Sequence, residues 1–427
     1  MVRNSCSCKT MGNTEIPNHI DVHLNYMAWA LPLFLALMGV EYLYARKTGK
    51  RYFSLTGSIS NINVGIAERL LDTFTVGVFY FVYDYLYRHF GMFDIKSSIL
   101  LWLTLFICTD FIWYWYHRLA HEVNVLWAAH VVHHQSDDFN YTTSARITVF
   151  QAFARMMFWS ILPVIGFPPA MIVSVQLVHG LYPFFIHTRT IGKLGVLEYI
   201  FVTPSHHRVH HASNPKYLDK NYGDVLIIWD KIFGTFEVEE EEPTYGLTKP
   251  LESHSFLWQH FHFVLEVLYA FRQTSGWRNK VKVLFGRPDN IDPNIRAKLE
   301  EIFVSRNRSE VANIHKLHNY VIAQVIMALV VLFSFLLLEY YVPPFIQVCV
   351  ALLILLTLIN CGAILEQRGW VLYLEYARIL VLFSAAFYMW PHPVLLFAFT
   401  IMQLPVFYYR TAIQQRYLRL VYGVARQ

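Results

Sequence analysis

Apolar residues run for about twenty positions at a time in several parts of this chain, the length a helix needs to cross a bilayer. The first run covers 26–45 and is followed by Arg46, Lys47, Lys50 and Arg51. The second, 70–87, carries Asp72 and Asp84, and the third, 99–116, carries Asp110. The stretch 148–186 is long enough for two helices, and Gly166-Phe167-Pro168-Pro169 breaks it in the middle, as proline does. A polar, loop-rich region follows over 188–319. The last quarter returns to apolar runs at 320–342, 344–365, 370–389 and 393–409. This pattern predicts an all-α, polytopic integral membrane protein with about nine transmembrane helices. The 148–186 pair either spans the membrane or is re-entrant.

Composition agrees with that reading. Of 427 residues, 55% are hydrophobic, 17% aromatic and only 15% charged, well below the charge of a soluble domain. The net charge of +5 is scattered and gives no basic stripe of the kind that binds nucleic acid. It bears on topology instead, because basic loops stay on the cytoplasmic side. The Arg46–Arg51 cluster places the first loop inside, and counting forward puts 117, 187, the 188–319 region and the basic C-terminal tail inside too. The expected organisation is 1–98 (tail and two membrane helices), 99–245 (catalytic core), 246–319 (cytosolic connector) and 320–427 (a four-helix membrane region). Cys108, Cys349 and Cys361 lie in apolar runs and read as packing residues. Cys6 and Cys8 carry no assignment.

Histidine changes the picture. There are 20, and eleven fall between 117 and 211. His117 and His121 stand at i and i+4. His130, His133 and His134 stand at i, i+3 and i+4, and His207, His210 and His211 repeat that spacing. Such positions share one face of a helix, so three helical segments aim eight imidazoles inward. Imidazole binds iron, zinc, copper and nickel. Eight to ten nitrogens exceed one first-row ion, and two metals with four or five ligands each fit the count. A metal transporter would hold its ligands near the bilayer midplane, whereas these clusters lie just past the ends of apolar segments.

On these residues the chain resembles the fatty acid hydroxylase (sterol desaturase) superfamily of integral membrane di-iron oxygenases, over roughly 100–245. The run Thr203-Pro-Ser-His-His-Arg-Val-His-His211 is similar to the alkylglycerol monooxygenase branch of that superfamily. So are Asp219-Lys-Asn-Tyr-Gly223, Leu226-Ile-Ile-Trp-Asp-Lys-Ile-Phe-Gly-Thr-Phe236 and the extra apolar C-terminal quarter. The resemblance implies two iron ions and tetrahydrobiopterin as cofactors, O2 as co-substrate, and an alkylglycerol or ether lysolipid as the membrane substrate. Hydroxylation next to the ether oxygen would yield a fatty aldehyde and glycerol or a lysolipid. It also implies an endoplasmic reticulum membrane location with the site on the cytosolic face. A sterol or fatty-acyl hydroxylase or desaturase, fed by cytochrome b5 or NAD(P)H, is the alternative within the superfamily, and a histidine-rich metal transporter the alternative outside it.

The resemblance carries over His117, His121, His130, His133, His134, His207, His210 and His211 as ligands, with His187 as a ninth. His206 is expected as a ligand or a neighbouring base, and His179 as a packing or polar-contact residue. Two ferrous ions need negative charge nearby and acceptors for the outer ring nitrogens. Glu122 is expected in that role, and Asp110, two helical turns before His117, is a functional carboxylate by its place in a span. Asp137, Asp138, Asp219 and Asp230 read as solvated or capping acids, Asn221 and Tyr222 as contacts for cofactor or substrate, and 237–242 as a solvated acidic loop. Trp113, Tyr114, Trp115 and Tyr116 read as an interfacial belt, with a lipid-tail slot as the alternative.

Overall fold

The computed structural model describes residues 24–95, 98–304 and 314–422. Cys6 and Cys8 lie outside the described residues. Helices make up the architecture, and among the described residues β-structure is limited to two isolated antiparallel bridges, Phe201 with Leu226 and Ala212 with Tyr245.

Helix α1 (Ala30–Lys47) extends a short 3-10 turn, Tyr26–Trp29, that Asn25 caps by accepting from Met27 N. Helix α2 (Leu55–Phe90) is 36 residues long and starts at Ser54, whose hydroxyl accepts from Gly57 N. It runs through the middle of the molecule and buries Asn61, Asn63 and Glu68 beside Val64 and Ile66. Helix α3 (Ile99–Glu122) starts at the Ser98 cap and carries the first histidine pair at its C-terminal end. Short helices follow: α4 (Asn124–Trp127), a 3-10 turn over Val131–Gln135, α5 (Tyr141–Ser144), α6 (Gln151–Trp159) and α7 (Ile161–Ile165). Helix α8 (Pro169–Ile186) returns toward the metal-binding end, with proline in its first turn and Pro183 inside. Helix α9 (Pro204–His210) carries the third histidine box, with His211 as its C-cap, and α10 (Ile228–Phe233) follows. The connector holds α11 (Phe256–Gln273), α12 (Trp277–Phe285) and α13 (Pro293–Phe303). The C-terminal part holds α14 (Ile314–Leu338), α15 (Pro344–Leu365), α16 (Val371–Met389), α17 (Pro393–Tyr408) and α18 (Arg410–Tyr422).

Among the described residues, six helices are long and apolar enough to cross a membrane: Tyr26–Lys47, Ile99–Glu122, Pro169–Ile186, Leu317–Tyr341, Pro344–Leu365 and Val371–Met389. The α17 and α18 pair, bent by 84°, adds a seventh if it counts as one span. The count is therefore below the nine expected. Two expected spans fall outside this set for physical reasons. The 70–87 stretch is part of α2, whose buried Glu68 is forked by Arg69 at 2.7 Å through both oxygens, and Arg69 also reaches Asp72 at 2.6 Å. The first half of the hairpin is only Gln151–Ile165, about 22 Å of helix at 1.5 Å per residue and too short for the hydrocarbon core.

Three apolar cores hold these parts together. One joins α3, α6, α7 and α8 through Leu105, Tyr116, Trp159 and Ile172. A second packs α11 and α13 on Val131 and Val132 of the second box. The third joins α2 to the C-terminal helices through Ile66, Leu70, Val321 and Leu358. Tyr114 and Tyr116 are fully buried, which corrects the expectation of an interfacial belt at 113–116 for those two rings.

Candidate metal centre

Nine imidazoles meet where α3, the 131–135 turn, the end of α8 and α9 converge. They form two groups, His117, His121, His130, His134 and His210 in one, and His133, His187, His207 and His211 in the other. Within each group every residue offers a nitrogen within 4.8 Å of the others'. The closest approaches are between Nε2 atoms: His117 to His130 at 3.0 Å, His134 to His130 at 3.2 Å, His187 to His133 at 3.1 Å, His187 to His207 at 3.0 Å and His187 to His211 at 3.2 Å. A cation about 2.1 Å from two nitrogens at a right angle holds them ~3.0 Å apart. All nine are residues named from the sequence as ligands.

The helical spacing sorts them. The i, i+4 pairs His117/His121 and His130/His134 serve the first group, and His207/His211 serves the second. The i+3 members cross over, His210 to the first group and His133 to the second. His187, at the C-terminal end of α8, completes the second group.

The outer nitrogens fix the tautomers. His117 Nδ1 donates to Tyr222 O at 2.8 Å and His210 Nδ1 to Lys220 O at 3.0 Å. His133 Nδ1 donates to Arg146 O at 3.1 Å and His187 Nδ1 to Pro183 O at 2.5 Å. A carbonyl only accepts, so in these four rings Nδ1 carries the hydrogen and Nε2 presents its lone pair inward. The buried Nε2 atoms of His121 and His210 have no hydrogen-bond partner. Burial, then neighbouring imidazoles, push His130, His134, His207, His210 and His211 well below the ordinary imidazole range. Burial lowers His187 to about 4. These rings are neutral at pH 7, the form that binds metal. The donor set therefore fits two metal ions.

The 219–223 loop orients two of these rings. Asp219 and Asn221 have φ of 58° and 56°, a left-handed conformation that asparagine and aspartate tolerate better than most residues. Asn221 is locked there: its side chain donates to His206 O and Glu237 O and accepts from Glu237 N. The carbonyls on either side of it, Lys220 and Tyr222, are the two that hold His210 and His117. Asp230, expected as a solvated or capping acid, is fully buried and accepts from Tyr222 N, Gly223 N and Thr235 Oγ1, each at 2.7 Å. A Cβ on Gly223 would stand 2.7 Å from Leu226 O and 2.9 Å from the Asp230 carboxylate, so this turn requires glycine.

Other expected residues fall elsewhere. Glu122 lies one residue past His121, about 100° around the helix. It pairs with Arg118 at 3.2 Å and Arg287 at 3.4 Å instead of accepting from a ligand imidazole. Among the described residues neither histidine group includes a carboxylate. His206 belongs to neither group, and its Nδ1 accepts from Thr203 N. The Tyr222 ring stands 5.3 Å from His121 and 5.8 Å from His117, and burial holds its phenol protonated, well above the ordinary range. The acidic run is not a free loop: Glu239 forks Arg208 at 2.7 Å through both oxygens, Glu240 pairs with Lys216 and Glu242 with Arg189. Asp137 and Asp138 lie away from the imidazoles, Asp138 accepting from Ser54 at the start of α2.

Asp110 and His179 belong together. His179 Nε2 lies 2.8 Å from Asp110 Oδ1, and its Nδ1 2.6 Å from Asp224 Oδ2. All three residues are buried. The polar-contact role of His179 is realised through partners from other elements rather than from its own helix. Asp224 was missed, since nothing in its local sequence marks it. The unpaired carboxylate inside the 99–116 run was the only available signal.

A family model described as fatty acid hydroxylase matches residues 102–235, the stretch that holds every ligand imidazole. Alkylglycerol monooxygenase from Homo sapiens is 40% identical over 267 residues, 62% of this chain and 60% of that protein. Alkylglycerol monooxygenase from Danio rerio is 33% identical over 359 residues, 83% of this chain and 80% of the relative. The chain belongs to the alkylglycerol monooxygenase family. The zebrafish match covers enough of both chains to take in more than the histidine core, while the human match spans three fifths of that relative. A more distant relative is ornithine lipid hydroxylase from Rhizobium tropici, 26% identical over 218 residues. No solved structure gives a significant match.

Proposed function

We propose that this chain is a membrane monooxygenase that hydroxylates the ether α-carbon of alkylglycerol lipids with O2 and tetrahydrobiopterin. One oxygen atom enters the C–H bond, the other leaves as water, and the pterin gives up the two electrons that balance it. The product is a hemiacetal, which collapses to a fatty aldehyde and glycerol or a lysolipid. The observation that carries this reading is the five-plus-four set of neutral, inward-facing imidazoles. A five-nitrogen group exceeds the tetrahedral set of structural zinc sites and suits iron.

Two iron ions held there would supply O2 activation and electron transfer, the chemistry that side chains cannot perform. The chain's own contribution is placement. Backbone carbonyls of residues 146, 183, 220 and 222 aim the lone pairs. Tyr222 offers a protonated phenol beside the five-imidazole group, placed to donate a hydrogen bond to bound lipid or oxygen. Glu122 and Arg118, one helical turn apart at the end of α3, would meet the polar head of the substrate or the pterin. The reading places the protein in the endoplasmic reticulum membrane, with the site on its cytosolic face.

Full-length protein purified into lipid nanodiscs tests this when given a 1-O-alkylglycerol, O2 and tetrahydrobiopterin. Pterin-dependent release of fatty aldehyde is expected. Absence of aldehyde, together with oxidation of a sterol or acyl chain in the same preparation, would overturn it.

A further inference from the structure

The membrane side of the metal centre is walled by two non-helical-to-helical segments, 194–202 and 224–233. They lie side by side, with Val202 N donating to Val225 O at 2.8 Å and Ile227 N to Ile200 O at 3.0 Å. Their depth follows from their partners. Asp110 accepts from Val225 N at 3.0 Å, Leu226 N at 3.2 Å and Trp229 Nε1 at 2.8 Å. Asp110 is seven residues before His117 on α3, about 10 Å further along the span. His179, which lies between Asp110 and Asp224, is eight residues before His187, about 12 Å. Two helices thus place 224–229 independently at the same depth, below the ligands.

Backbone outside a helix is tolerated at such depth only where the protein satisfies its N–H groups. Asp110 does that here, held in place by His179 and through it by Asp224, which gives a reason for a buried acid–histidine–acid triad beside a metal centre that does not use it. The remaining polar side chains of the two segments are paired, Lys231 while itself exposed. Glu198 accepts from Leu194 N and Thr203 Oγ1, and Lys231 Nζ donates to Glu198 O and Tyr199 O.

Apart from Lys231, the outward face is apolar. Leu194, Val196, Leu197, Tyr199, Ile200 and Phe201 are all exposed, Val196 at 78% and Tyr199 at 73%, and Ile232 is exposed at 62%. In water this would be a large apolar patch of the kind that marks a binding surface. It continues the exposed side of α3: Phe111 packs 5.0 Å from Trp229 and 6.3 Å from Phe233, and Trp115 packs 5.1 Å from Phe233.

We propose that 194–202 and 224–233 form a re-entrant wedge inserted in the bilayer leaflet bordering the metal centre, with the acyl-chain layer of that leaflet as its partner. The proposal rests on α3 and α8 crossing the membrane and is independent of which lipid is oxidised. The test uses the unaltered full-length chain in phosphatidylcholine vesicles that contain a phosphatidylcholine with a diazirine in its acyl chain. After photolysis, adducts are mapped by peptide mass spectrometry. Labelling of 194–201 and 228–233 is expected within about threefold of that at 99–103 on α3, and about tenfold above that of the 213–216 loop. Labelling of the wedge no higher than the 213–216 loop, with 99–103 labelled, would overturn the wedge. Failure of 99–103 to label would overturn the spanning of α3 and the wedge with it.

Discussion

On α9, His207 and His211 turn to one imidazole group and His210 to the other because i and i+4 side chains stand nearly above one another, while the i+3 side chain leans to the other side of that line; the second box divides the same way on a 3-10 turn. The ligands are then held by groups outside the boxes. Asp230 touches no imidazole, yet it fixes the Tyr222 and Gly223 amides and through them the carbonyl that orients His117. Asp230→Asn puts an amide donor against these N–H groups. Metal affinity of the five-imidazole group should fall ~10- to 100-fold, leaving chains that retain one metal, measured as metal per chain after dialysis against chelator. An undiminished content would remove Asp230 from the ligand support. Gly223→Ala should do the same through steric conflict with the Asp230 carboxylate. Acidity offers a further check. Burial holds the imidazoles of His130, His134, His207, His210 and His211 well below the ordinary range, and that of His187 at about 4, so protons compete with metal only well below pH 6.5. An exposed imidazole would yield near pH 6.5. Metal content should be constant from pH 7.5 to 5.5, and half-loss near 6.5 would contradict the buried, neutral ligand set.

Elements are joined at the triad. Asp110 of α3, His179 of α8 and Asp224 of the 219–233 segment meet with no solvent access, and Asp110 holds three N–H donors besides the imidazole. Asp110→Ala strands all of them, and breaking a buried pair of this kind costs ~3–5 kcal/mol. Thermal unfolding in detergent should show that loss, together with new protease cleavage in 224–233. A melting point unchanged from the parent chain would contradict the joint. This joint also marks how far the sequence was legible. Eight of the nine imidazoles that meet there, and most candidate spans, could be read because their signal is local: helical spacing of one residue type, and twenty-residue apolar runs; His187 came only with the family resemblance. Asp224, Arg146 O and the carbonyls of Lys220 and Tyr222 could not, because their partners lie up to 105 residues away and backbone acceptors leave no mark in a sequence. The 70–87 run belongs to a 36-residue helix in which the Glu68–Arg69–Asp72 pairing interrupts the apolar stretch, although Phe74, Val76, Val78 and Phe81 stay exposed.

At the scale of the whole molecule, the C-terminal helices are docked onto the connector rather than appended to it. Glu366, at the end of α15, accepts from Ser253 Oγ at 2.5 Å and His254 N at 2.9 Å, and pairs with Arg368 at 2.6 Å. Gly362 brings α15 so close that a Cβ there would lie 2.7 Å from His254 O and Phe256 N. Glu366→Ala should lower stability by ~2–4 kcal/mol without changing metal content, since no ligand is in contact with this joint. Loss of metal in that variant would make the C-terminal region part of the centre. The central claim is that nine imidazoles form two separate metal sites of five and four ligands. It is tested most directly by iron per chain in three purified proteins: the parent, His121→Ala from the first group and His207→Ala from the second. The account predicts two irons in the parent and close to one in each variant. One iron in the parent, or a single substitution that empties both sites, would contradict it.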